Sequence, residues 1–87
     1  MLTNPAWPGH VKVGHARDLK NRIRAFQTAS PYRDYQVVAT LRVPDRTRFE
    51  RAFHAALRGH RVGATEWFSI APQDARNILN TLKKELV

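Results

Sequence analysis

The chain has 87 residues and no cysteine, which restricts it to one small domain folded without disulfides or thiolate metal sites. A hydrophobic content of 43% with four Phe, two Trp and two Tyr supports a packed core and argues against disorder. Fifteen Lys and Arg against seven Asp and Glu give a net charge of +8, with twelve basic and four acidic side chains in residues 1–63 and three of each in 64–87.

In chain order, Leu2-Thr3 reads as the tail of a strand and Asn4-Pro5-Ala6-Trp7-Pro8-Gly9 as a turn, its prolines fixing φ. His10 to Gly14 alternates Val11 and Val13 with His10 and Lys12, the period of a strand with one buried face. Asp18 is placed to cap a helix whose apolar stripe is Leu19, Ile23 and Phe26, and Ser30-Pro31 ends it. Tyr35 to Val43 predicts a third, largely buried strand. Asp45 or Thr47 caps a second helix with Phe49, Ala52, Phe53, Ala56 and Leu57 on its core face, and Gly59 is expected to stop it. Glu66-Trp67-Phe68 is a short extended piece, with Trp67 and Phe68 expected in the core. Pro72 opens a last helix running to about Leu86, with Ala75, Ile78, Leu79, Leu82 and Leu86 as its buried stripe. The expected class is α+β, one domain over residues 1–87, in the order β-β-α-β-α-α.

No apolar run approaches the roughly 20 residues of a membrane span, and Met1 to Pro5 does not read as a signal peptide. The expectation is a cytoplasmic protein with no membrane partner. Eleven of the fifteen basic residues are arginine, whose planar fork suits bidentate phosphate contacts, so a polyanion, and nucleic acid first, is the expected partner. The competing reading is a basic surface that serves solubility.

Gly-rich phosphate loops and Gly-x-Ser-x-Gly are both missing, which leaves four histidines, seven carboxylates and the arginines to carry any chemistry. Glu50 and His54 stand at i and i+4, on one helix face, close enough to share a metal or a phosphate. The plainer alternative is that Glu50 neutralises Arg46 or pairs with His54. Arg22 has two readings as well: a phosphate ligand, or a side chain covering the core edge with its methylenes. Trp7 is either a core residue or an exposed ring on which a base can stack.

Taken together, Asn4-Pro5-Ala6-Trp7-Pro8-Gly9, Val11-Lys12-Val13-Gly14, Asp18-Leu19-x-x-Arg22-Ile23, Thr28-x-Ser30-Pro31, Glu50-x-x-x-His54 and Glu66-Trp67-Phe68 resemble the phage-type branch of the GIY-YIG nuclease superfamily over residues 1–70. That resemblance implies a three-stranded antiparallel sheet flanked by helices, a phage-encoded origin, and metal-dependent hydrolysis of DNA phosphodiesters. It implies a single Mg²⁺ or Mn²⁺ on Glu50, with no organic cofactor. Arg22 would sit near the scissile phosphate, and Lys12 would replace a motif tyrosine. His54 matches a histidine common after that glutamate.

Lys12, His15, Arg22, Glu50 and His54 are thus the candidate catalytic residues, and Lys12, Arg17, Lys20, Arg22, Arg24 and Arg51 the candidate DNA contacts. The family's first motif tyrosine aligns immediately before Met1. Either His10, His15, Lys12, Tyr32 or Tyr35 substitutes for it, or the domain binds nucleic acid without cutting.

Overall fold

A computed structural model describes residues 1–86. In chain order it contains β1 (Leu2–Thr3), β2 (His10–Lys12), α1 (Leu19–Ala29), β3 (Gln36–Val37), α2 (Arg46–Ala56), a 3₁₀ turn (Arg58–His60), β4 (Trp67–Ser69) and α3 (Pro72–Leu86). The class is α+β as the sequence implies. The sheet, however, has four antiparallel strands in the order β3-β1-β2-β4, where three were expected.

The extra strand comes from Glu66-Trp67-Phe68. β1 occupies one edge of β2, with Leu2 opposite Lys12, and the other edge takes β4, with Val11 opposite Phe68 and Lys12 opposite Trp67. Pairing β4 there satisfies backbone groups of β2 beside the fully buried Val11. The element order therefore ends α-β-α, not α-α.

The strand predicted over Tyr35–Val43 contracts to two residues. Past Val37, the amides of Val38 and Ala39 both turn to Met1 O, at 3.0 and 3.4 Å, and the ladder stops. Val37, expected to be buried, is 47% exposed. Ala39, Leu41 and Val43 do reach the core, where they pack at its margin. Burial lowers the pKa of the Met1 α-amine, which donates to Ala39 O at 2.9 Å.

Alternation along the strands divides the sheet into two unlike faces. Val11 of β2, Val13 just after it and Phe68 of β4 pack with Phe49, Phe53 and Leu57 from α2 and its C-cap, and with Ala75 and Leu79 of α3. Leu2, Lys12 and Trp67 share the opposite face, because each pairs across the ladder with Lys12 or is Lys12 itself. Here α1 lies, with the Phe26 ring 5.2 Å from Lys12 Nζ. No residue of α1 is fully buried, and Leu19 is exposed, because the helix covers a lysine and a tilted tryptophan in place of a closed apolar layer.

Both interior helices start where their caps dictate. Asp18 accepts from Asn21 N at 3.2 Å, and Asp45 accepts from Arg48 N at 2.9 Å, leaving Thr47 inside α2. Gly59 does not stop α2. The helix ends at Ala56 and Gly59 falls within the following 3₁₀ turn. Trp67, expected in the core with Phe68, lies on the α1 side, since neighbours in a strand point to opposite faces.

Candidate active site

On the α1 side of the sheet, Lys12, Gly14, His15, Arg22 and Glu66 line one cleft between β2, the loop after it and α1. Lys12 reaches it because its position in β2 points away from the core. Arg22 reaches it from the first turn of α1, its guanidinium carbon 4.9 Å from the Phe26 ring centre one turn on, a cation–π contact that holds the head over the cleft.

Glu50 approaches from the core side, and His15 connects it to the cleft. The Glu50 carboxylate is largely buried, with Oε2 paired to His15 Nδ1 and Oε1 3.6 Å from His54 Nε2. Apart from His15, no hydrogen-bond partner reaches the buried Oε2. His54 Nε2 also lies 3.2 Å from Val13 O, and its ring stands edge-on to Phe68 at 5.1 Å between centres. An Nε2–H that donates to Val13 O ties the middle of α2 to the end of β2. His54 thus steadies Glu50 and does not line the cleft.

The structure brings four of the five candidate catalytic residues into one connected set: Lys12 and Arg22 in the cleft, His15 at its boundary, Glu50 behind His15. His54 is one step further removed. Of the groups considered for the role of the motif tyrosine, Lys12 and His15 line the cleft and the other three do not. His10 Nδ1 turns to Pro8 O, Tyr32 is exposed, and the Tyr35 ring stacks at 5.6 Å on Phe26.

Glu66 escaped the sequence reading as a site residue. Its carboxylate lies 3.8 Å from Lys12 Nζ and occupies the space above Gly14, where an added Cβ would stand 3.2 Å from Oε2. The register that puts it there, with Val13 N donating to Glu66 O at 3.0 Å, follows from the pairing of β2 with β4. Its adjacency to Trp67 was the one signal available in the sequence.

Among the described residues the ion pairs are Lys12–Glu66, His15–Glu50 and His54–Glu50, so no arginine is engaged by a carboxylate. Arg17, Lys20, Arg24 and Arg51 are exposed and lie outside the cleft lining. Such exposed cations attract a polyanion at long range.

No group of three or more His, Asp or Glu side chains among the described residues is placed to hold a metal by itself. A hard divalent ion nonetheless needs only one or two carboxylates where phosphate oxygens and water complete its coordination. Glu50, a largely buried carboxylate faced by His15 and His54, fits that more modest requirement.

No curated protein and no solved structure matches the chain. The T5orf172 domain, a phage-associated domain related to GIY-YIG and HNH-type nuclease folds, matches residues 1–83, and that relationship agrees with a nuclease-like or DNA-binding role. Since the match spans nearly the whole sequence, the chain belongs to the T5orf172 domain family.

Proposed function

We propose that the domain is a GIY-YIG-type, metal-dependent endonuclease that hydrolyses DNA phosphodiesters. The observation that carries this reading is His15, which touches Glu50 on one side and lines the Lys12–Arg22 cleft on the other. In this reading the scissile phosphate enters the cleft, drawn by the arginine-rich surface around it. Arg22 binds its oxygens and stabilises the charge that builds as water attacks phosphorus. Lys12, held at a distance from Glu66 longer than a hydrogen bond, adds a second positive charge.

His15 with its Nδ1 proton directed at Glu50 keeps Nε2 as the proton acceptor, the tautomer a general base requires. His54, anchored on Val13 O, stands 3.6 Å from Glu50 Oε1 and backs the carboxylate. Mg²⁺ or Mn²⁺ held by Glu50 would supply neutralisation of phosphate charge, which aids departure of the 3′ oxygen.

The test is cleavage of plasmid and single-stranded DNA with Mg²⁺ or Mn²⁺ by the wild type, Glu50→Ala and Arg22→Ala. Each substitution is expected to lower the rate by about 10²-fold or more, the usual scale when one group stabilising the transition state is removed. Cleavage that survives Glu50→Ala undiminished would rule the assignment out.

A second reading has its own observation: among the described residues, no tyrosine lines the cleft. In that reading the domain binds nucleic acid without cutting it. Binding that weakens steeply with salt, together with no cleavage under any divalent ion, would select it.

A further inference from the structure

We infer that the loop carrying Trp7 binds an unpaired nucleobase of single-stranded DNA next to the cleft, so that the domain engages strands with splayed bases in preference to intact duplex. The inference rests on the DNA-binding reading above and names the form of DNA taken.

Trp7 is 51% exposed, yet its ring is held 5.3 Å from Trp67 between centres, tilted by 51°. Trp67 lies in turn 6.3 Å from Tyr35 and 5.5 Å from Lys12 Nζ. A row of aromatic rings therefore runs from an exposed tip to a cleft-lining lysine. One end offers a free π face, and the other a positive charge where the adjoining phosphate would lie.

An exposed tryptophan on a floppy loop would say little, but this loop is fixed. Asn4, the one buried polar residue among those described, is 5% exposed. Its Oδ1 accepts from Ala6 N at 2.9 Å, bracing the Trp7 turn from within, and its Nδ2 donates to Asp34 Oδ1 at 3.0 Å. Ser30 Oγ donates to the same oxygen at 2.9 Å. The Trp7 turn and the Ser30–Asp34 turn are thereby clamped together, and the second turn carries Tyr32, 83% exposed. Holding both exposed rings in place lowers the ordering cost of binding.

The occupant follows from chemistry. Lys20, Arg22 and Arg24 on α1, none paired with a carboxylate among the described residues, demand a polyanion, while aromatic faces beside them demand flat apolar groups along it. Single-stranded DNA offers both at once. In a duplex each base is already covered on both faces by its neighbours, so the rings would gain nothing from it.

The test measures binding without divalent metal, in EDTA, by fluorescence anisotropy of a labelled strand of about 12 nucleotides and of the matching duplex. Trp7→Ala is expected to weaken single-strand binding by about 5- to 150-fold, the scale of one base stack, and to leave duplex binding within about twofold. Trp7→Phe should retain most of the affinity. In a Trp67→Phe background the remaining Trp7 fluorescence should be quenched by the strand. Unchanged single-strand affinity in Trp7→Ala, or equal losses on strand and duplex, overturns the stacking inference and leaves the DNA-binding reading standing. Failure of the wild type to bind either DNA overturns both.

Discussion

Replacing Asn4 with alanine tests how the two loops are held. The substitution removes the donor to Asp34 Oδ1 and the acceptor for Ala6 N, at 3.0 and 2.9 Å. A hydrogen bond to a charged group is worth about 1.5–3 kcal/mol and a neutral one about 0.5–1.5 kcal/mol. Asp34 keeps Ser30 Oγ and is only half-buried, and Ala6 is exposed, so water recovers part of the sum. The net loss expected is about 2 kcal/mol, against a total stability of roughly 4–13 kcal/mol for a domain of this size.

That loss corresponds to a melting point lower by about 8–16 °C. Thermal and urea unfolding followed by circular dichroism measure it, and a double-mutant cycle with Asp34→Ala isolates the pair. Coupling of about 1 kcal/mol or more is expected for groups that share a bond. A loss under about 0.5 kcal/mol, or strictly additive single variants, would refute the clamp, because it would mean that water serves both groups equally well.

His54→Ala should destabilise the domain by about 1–3 kcal/mol, because it leaves the Val13 carbonyl unpaired and removes the edge-on ring packing against Phe68, as read by urea unfolding. Under the nuclease reading it should also slow cleavage less than Glu50→Ala does, since it acts through Glu50. Replacing both Lys20 and Arg24 with alanine should lower the slope of log affinity against log salt by about 1–2 with little change in stability, as measured by DNA titrations at several ionic strengths. An unchanged slope would remove these side chains from the DNA-binding surface.

Much of the site is legible in the chain itself, for reasons that can be traced to individual residues. The i, i+4 spacing of Glu50 and His54 needs only a helix to put them on one face, and the Asp45 cap with the Phe49–Phe53 stripe guarantees that helix. Lys12 alternates with two buried valines and therefore points away from the core. By contrast, the pairing of His15 with Glu50 joins residues far apart in the chain, and Glu66 reaches Lys12 through a strand that the sequence shows only as a short apolar piece. Such short strands carry too little periodicity to declare a partner, so their register was not readable.

The same distinction holds for the whole chain. Local rules set the caps, the Phe49–Phe53 stripe of α2 (though Ala56, expected with it, is exposed), the core stripe of α3, the positive balance of residues 1–63 and the outward direction of Lys12, because each depends on neighbours within a few positions. Tertiary packing alone decided that β4 joins β2, that Trp67 faces α1 in place of the core, that β3 stops at Val37, and that His15 stands between a buried carboxylate and the cleft. Those outcomes depend on which edges and buried polar groups remain unsatisfied once distant segments meet, and no short stretch of sequence contains that information.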